Sequence, residues 1–230
     1  VERPESWLPF EVGESAAVGA FRGWASRRFW APSDLKHAKV AVHRLFLPAW
    51  MWSGEIETHW AALVPAATRS GKRPLTGQER GIVRGVLVPS SPAMSVHELE
   101  AIAPFDDRKG RDLGEEEVPE AYEVGVLTRA VARSKGVDRM AAQHGREIGG
   151  RIGASKLNSS AMPLRVDGRP MLLPVWIGAY LYGETSHRVV INGQTGAVTG
   201  TSPVAWWKVA LAVLAGLFAV LVIVGVLSEL

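Results

Sequence analysis

The 230-residue sequence contains no cysteine. Disulfide bonds, thiol nucleophiles and cysteine-ligated zinc are therefore excluded for this sequence. It also has little excess charge, because 26 Lys and Arg residues stand against 23 Asp and Glu residues, a formal net charge of +3. So small an excess does not by itself indicate binding to DNA or RNA. Nucleic acid is therefore not an expected partner.

The common catalytic and cofactor-binding motifs are also missing. The sequence has no GxSxG or HExxH, and Gly71-Lys72 lacks the preceding glycine and the following Ser or Thr of a P-loop. Its six histidines share no metal-ligand spacing. We therefore expect no catalytic residues, no cofactor, no metal site and no enzymatic activity. The acidic run at residues 115–117 is expected to be a solvated loop.

Charge is missing altogether from residues 209–227 near the C-terminus. As a helix these 19 residues would be about 28 Å long, which matches the hydrocarbon core of a bilayer. Trp206 and Trp207 stand where an interfacial aromatic belt would lie, and Lys208 can extend to the lipid headgroups. Phe218 lies within the run. The pattern predicts a single transmembrane anchor over residues 204–230.

The charges that flank the anchor bear on its orientation. Lys208 lies on the side of the preceding domain, and Glu229 lies on the far side. The positive-inside rule then places the domain in the cytoplasm. The sequence begins at Val1 without a methionine, which leaves open a further segment upstream.

The whole sequence, anchor included, is 47% hydrophobic and 21% charged, which is typical of a globular protein. We predict an α+β fold of two halves, residues 1–105 and 125–203, joined by an acidic linker at 106–124.

In the first half, residues 45–52 and 55–64 read as a β-hairpin that turns at Ser53-Gly54. In the second, residues 172–191 read as a strand pair that is followed by a turn at Asn192-Gly193. Residues 68–80 read as a polar loop and 81–88 as a short strand.

Four soluble helices follow from spacing and capping signals. They are predicted over residues 14–29, from Ser33 or Asp34 to about residue 40, over 95–103 and over 126–148. The third carries Ser95 and Glu98 in capping-box positions.

A weak internal repeat links the two halves. The tetrapeptide Leu-Pro-x-Trp occurs at residues 47–50 and again at 173–176, and each copy is followed by aromatics and then by Gly-Glu. Two similar hairpins, related as pseudo-symmetric halves of one sheet, would explain this repeat. Proline at a strand start and tryptophan within a strand are each common, so coincidence is the alternative.

A basic stretch with interleaved aromatics lies near the N-terminus. Its cations include Arg22, Arg27, Arg28, Lys36 and Lys39, and its aromatics are Trp24, Phe29 and Trp30. The favoured interpretation is a solvated helix face with its aromatics packed inward. The alternatives are a surface that docks onto anionic lipid headgroups and a nucleic-acid site.

Several segments together resemble a bacterial family of membrane-anchored, zinc-ribbon-type proteins of poorly defined function. They include the two Leu-Pro-x-Trp segments, Trp7-Leu8-Pro9-Phe10 and, most strongly, residues 190–196 followed by residues 203–208. The family carries an N-terminal Cys-rich ribbon that this sequence lacks, so its zinc site is not carried over. The resemblance implies a place in the bacterial inner membrane and partners such as SPFH-domain and PspA-like proteins.

Together these observations lead us to expect a non-enzymatic scaffold or adaptor that is tethered to the inner membrane and works in envelope maintenance. Its expected partners are membrane lipid and other membrane-associated proteins. Two alternatives stay open: a structural subunit of a larger membrane complex, and a membrane-associated enzyme with an unrecognised site.

Overall fold

Long strands dominate the fold. The computed structural model describes residues 2–67, 71–114 and 122–228 and shows an α+β architecture, as the composition and patterning predict. The strands are β1 (Ser6–Trp7), β2 (Val40–Pro65), β3 (Lys72–Pro89), β4 (Arg111–Asp112), β5 (Lys156–Tyr182), β6 (Thr185–Asn192) and β7 (Val198–Gly200). The helices are α1 (Glu14–Ser26), α2 (Val96–Ile102), α3 (Arg129–Arg151) and α4 (Trp206–Ser228), with 3-10 turns at Leu35–His37 and Asp107–Lys109.

One sheet takes strands from both sequence halves, in the order β3-β2-β5-β1-β4. β2 and β5 pair antiparallel along almost their whole length, from Val40 opposite Tyr180 to Leu63 opposite Lys156. β6 adds to the C-terminal part of β5 and β7 adds to β6, while β1 pairs parallel with the middle of β5. The long β2–β5 pairing therefore joins residues 1–105 to residues 125–203 in a single sheet.

The hairpin predicted at Ser53-Gly54 is wrong, because β2 runs straight through both residues. Gly54 does not form a turn. Its lack of a side chain lets β2 pack closely against β5, because a Cβ there would lie 2.1 Å from the Arg165 carbonyl oxygen. The chain reverses only between Pro65 and Lys72, where β3 begins. Most of the predicted polar loop at 68–80 is thus strand, since pairing with β2 overrides the weak strand signals of Pro74 and Gly77.

The two Leu-Pro-x-Trp segments lie side by side. Leu47 pairs with Leu173, and each proline sits one residue away, Pro48 opposite Leu172 and Pro174 opposite Phe46. The following Gly-Glu pairs do not correspond, however, because Gly54 is within a strand whereas Gly183 adopts φ +59° in the β5–β6 turn. The local similarity therefore covers the paired strands and ends before the glycines.

The sheet has helices on both faces. Even-numbered residues of β2 face α1 and α3, where Val42 joins a core with Phe21 of α1 and Trp52 joins a core with Met140 of α3. Odd-numbered residues such as Leu47 face α2 and form a separate core. Alternation along β2 thus distributes its side chains among three cores.

The helix ends agree with the capping signals more closely than with periodicity. Ser95 and Glu98 form the predicted capping box before α2. Helix α3 starts after Thr128, whose hydroxyl accepts from the Val131 N–H. The first helix ends earlier than predicted, at Ser26, and the second is only the turn Leu35–His37. The acidic run at 115–117, with most of the linker's second half, lies outside the described residues.

Candidate membrane-facing site at the base of α4

Helix α4 exposes apolar side chains on all its described faces. The large apolar side chains described between Leu211 and Ile223 are each more than half exposed, and Phe218, predicted to lie within the anchor, is 69% exposed. A helix that is apolar on every face is normally buried, either in a membrane or inside a protein. Measured over the described residues alone, none of the helices has both the length and the hydropathy of a membrane span.

The segment that leads into α4 is fastened to the domain. Thr201 donates its N–H to the Arg188 carbonyl at 3.1 Å, and its own carbonyl accepts from the Tyr180 hydroxyl at 2.7 Å. Burial raises the pKa of Tyr180 to about 12, so this hydroxyl stays a donor at neutral pH. Ala205, which is buried, donates its N–H to the Trp30 carbonyl at 2.7 Å. The start of α4 is therefore held in a defined place on the domain.

Lys208 provides the closest link between α4 and the domain. Its ammonium donates to the carbonyls of Phe29, at 3.0 Å, and Ala31, at 2.7 Å. It also lies 5.9 Å from the ring centre of Phe29 and 5.6 Å from that of Trp207. The sequence interpretation assigned Lys208 to lipid headgroups, whereas in the structure this side chain bonds back to the domain.

Exposed aromatics cluster around this link. Trp206 and Trp207, predicted as interfacial residues, are 77% and 63% exposed. Phe29 and Trp30 are 73% and 46% exposed, and their rings meet edge to face with centroids 5.0 Å apart. The favoured prediction that the interleaved aromatics pack inward holds for buried Trp24 and is wrong for Phe29 and Trp30. Pro32 disfavours helical structure just before it, and this was the available signal in the sequence that Phe29 and Trp30 lie beyond the helix.

The predicted lipid-contacting cations are all exposed: Arg22, Arg27, Arg28, Lys36 and Lys39. Arg28 lies 4.7 Å over the Trp24 ring, near the C-terminal end of α1. Within the described parts of the chain, no ion pair involves any of the five. Arg27 and Arg28 directly precede the exposed Phe29 and Trp30 in the chain, so positive charge adjoins the aromatic cluster.

One buried histidine is tied into the fold by a chain of polar contacts. His144 of α3, which is buried, lies 2.9 Å from the Thr58 hydroxyl through Nδ1. Its Nε2 lies 4.0 Å from Glu79, to which Arg151 also donates. The hydrogen bond from Arg151 lowers the pKa of Glu79. This chain of contacts joins α3 to β2 and β3, and a carboxylate held by arginine is a poor proton acceptor.

A groove of about 420 Å³ separates α2 from α3 beside β3. Its polar lining includes Arg139 and Glu100, which form an ion pair at 2.8 Å, together with Gln143 and Arg146. In the described part of the chain, no group of three or more His, Asp or Glu side chains is placed to hold a metal ion. The lining therefore combines arginine charge with the carboxylate of Glu100, which pairs with Arg139.

Comparison of the chain with protein-family models, with curated proteins and with solved structures gave no match.

Proposed function

We propose that this protein is a non-enzymatic scaffold or adaptor, tethered by α4 to the bacterial inner membrane with its α+β domain on the cytoplasmic side. The observation that carries this proposal is the exposed apolar surface of α4 between Leu211 and Ile223. At roughly 25 cal/mol per Å² of apolar area, leaving such a helix in water is strongly unfavourable, and lipid removes the cost.

The hydrogen bonds that join the start of α4 to the domain support a positioning role. Hydrogen bonds from Ala205 and Lys208 to the turn after α1 fix the domain at one end of the helix. A domain that is held at a bilayer meets other membrane-bound proteins at a raised effective concentration. The resemblance to the zinc-ribbon-type family supports envelope maintenance with SPFH-domain or PspA-like partners as the setting.

Two lysines introduced into α4, Leu214→Lys with Leu221→Lys, should release the protein from membranes. Each charge near the centre of a membrane helix costs about 2.5–3.5 kcal/mol on insertion scales, so the pair removes much of the driving force. The measurement is the fraction of full-length protein that stays in the membrane pellet after alkaline carbonate extraction.

The matched control places the same two charges on the sheet, at Ile82→Lys with Met162→Lys. Both side chains are exposed, at 66% and 54%, and their strand partners are Glu55 and Glu57. This control should remain in the pellet like the unsubstituted protein. Recovery of the unsubstituted protein in the soluble fraction would contradict the tether.

The adaptor role predicts partners that survive gentle detergent extraction. Mass spectrometry of the co-purifying proteins should find SPFH-domain or PspA-like proteins in variable amounts.

A fixed set of other membrane subunits at constant stoichiometry would instead make the protein a structural component of that complex. Exposed Gly216, where an added Cβ would meet nothing within 4 Å, leaves room for close helix contact and favours this second candidate. Purification of the protein alone would count against both.

A further inference from the structure

The turn after α1 places two aromatic rings beside the point where α4 leaves the domain. Phe29 and Trp30 are exposed, yet their backbone is hydrogen-bonded at the start of α4. The Lys208 ammonium donates to the carbonyls of Phe29 and Ala31, and the N–H of Ala205, the residue before α4, donates to the Trp30 carbonyl. The backbone of the turn is thus bound to α4, while its two aromatic rings extend outward. Large aromatics left exposed next to one another on a fixed turn indicate a contact surface.

Geometry sets the depth at which these rings would lie. Lys208 is 3.0 Å from the Phe29 carbonyl and lies over the rings of both Phe29 and Trp207. Phe29 therefore lies level with the first turn of α4, at the point where the chain leaves the domain. If that turn is where α4 enters the bilayer, Phe29 and Trp30 reach the headgroup layer together with Trp206 and Trp207. Tryptophan, whose ring is apolar but carries an N–H, is favoured at this depth, and phenylalanine is common on the apolar face of segments that lie in the interface.

The charges next to the turn suit the same environment. Arg27 and Arg28 are exposed, and Arg28 is held over the Trp24 ring at 4.7 Å. Basic side chains close to an anionic leaflet each contribute on the order of 1 kcal/mol. Aromatics flanked by arginines are characteristic of segments that lie in a lipid interface.

From these observations we infer that Phe29 and Trp30 form a second lipid contact, which inserts into the headgroup layer beside α4. The partner is the anionic phospholipid surface. The contact holds the domain in one orientation on the membrane. With α4 as the single attachment, the domain could rotate about the axis of that helix. This inference rests on the proposed tether, and the experiment below separates the failure of one from the failure of the other.

The lack of native cysteine makes a depth measurement direct, because any introduced thiol is the sole labelling site. Full-length variants Phe29→Cys, Val209→Cys and Ile82→Cys each receive the same environment-sensitive fluorophore. They are reconstituted in vesicles of phosphatidylethanolamine and phosphatidylglycerol that contain a phospholipid spin-labelled near its headgroup. Ile82 is the remote control, because it pairs with Glu55, roughly 40 Å along β2 from Val42 beside α1.

We expect quenching at positions 29 and 209 to exceed that at position 82 by roughly threefold or more. Quenching at 209 alone would overturn the second contact and leave the tether standing. Quenching at none of the three would overturn both. Equal quenching at all three would overturn the second contact, because the domain would then touch lipid without using this surface in particular.

A second variant distinguishes insertion from mere proximity to α4. The fluorophore is placed at Ser33→Cys, an exposed position just past the turn, with and without Phe29→Ser and Trp30→Ser. The hydrogen bonds from Ala205 and Lys208 to the backbone of the turn remain available in both proteins, so the substitutions remove the two rings and, with the Phe29 ring, its contact with the Lys208 ammonium. Quenching at position 33 should fall by about half or more when the aromatics are removed. Unchanged quenching would mean that the rings do not hold the domain to lipid.

Discussion

Replacing Trp52 by alanine should lower the free energy of unfolding by about 3–5 kcal/mol, the range for truncating a fully buried tryptophan. Trp52 is 1% exposed and stacks on Trp50 with ring centres 5.6 Å apart. It lies between two glycines, Gly136 of α3 and Gly168 of β5, where added Cβ atoms would come within 2.6 Å and 2.2 Å of its ring. Denaturant unfolding of the full-length protein in detergent micelles measures the change.

The loss is one of packing alone, because the buried indole N–H of Trp52 has no hydrogen-bond partner in the structure. The control is Ile82→Ala, which truncates a side chain that is 66% exposed and should change the free energy of unfolding by less than about 0.5 kcal/mol. If both substitutions had equally small effects, α3 would not be held to the sheet through Trp52.

A glycine pair on α3 tests the same contact from the other side. Alanine at Gly150, where the added Cβ meets nothing within 4 Å, should stabilise α3 by about 0.5–1 kcal/mol. Alanine at Gly136 gains the same helix propensity but collides with Trp52, so it should destabilise the protein. In the Trp52→Ala background that penalty should disappear, which a double-mutant cycle would register as coupling.

Local signals in the sequence were enough for features that depend on a few neighbouring residues. The capping box of Ser95 and Glu98 forms as predicted. So does the reversal at Asn192-Gly193, which leads into β7. Each of these depends on hydrogen bonds within a few residues, and the residue types that make them are few.

Features that depend on distant neighbours could not be predicted in this way. Gly54 reads as a turn residue in isolation, and only the close approach of the Arg165 backbone explains why it lies in a strand. The same limit applies to Phe29 and Trp30, since helical spacing cannot show that α1 ends at Ser26 and that α4 returns to the turn beyond it. The exposed aromatic cluster at the base of α4 is assembled by a hydrogen bond between residues almost 180 positions apart, Lys208 and Phe29.

These distant contacts bear directly on the proposed function. A flexible tether would keep the domain near the membrane but leave all its surfaces free to face lipid or cytoplasm. Here Thr201 and Ala205, in the segment before α4, and Lys208, in its first turn, are hydrogen-bonded to the domain, so the domain and the start of the helix move together. A domain attached to the helix in one fixed orientation presents partner proteins with one constant surface to bind. A scaffold requires such a surface, and a flexible anchor does not supply it.

Asn192→Asp should cost about 3–5 kcal/mol of unfolding free energy, although it changes only an amide to a carboxylate of the same shape. Asn192 is fully buried, and its Nδ2 donates to the carbonyls of Ile102, at 2.8 Å, and Pro104, at 3.0 Å. Its Oδ1 accepts from the N–H groups of Gln194 and Thr195. Aspartate keeps both acceptor contacts but loses both donors, which leaves two carbonyls facing a buried negative charge.

The effect should be specific to this position, because Asn192 joins the end of α2 to the β6–β7 turn across some 90 residues of chain. Asn158→Asp on β5, where the side chain is exposed, is the control and should leave stability within about 0.5 kcal/mol. Full denaturant curves of both variants in the same detergent supply the comparison. A small effect at Asn192 would show that α2 is not held through this amide, and the core beneath α2, with Leu99 and Ile102, would then have to hold that helix by apolar packing alone.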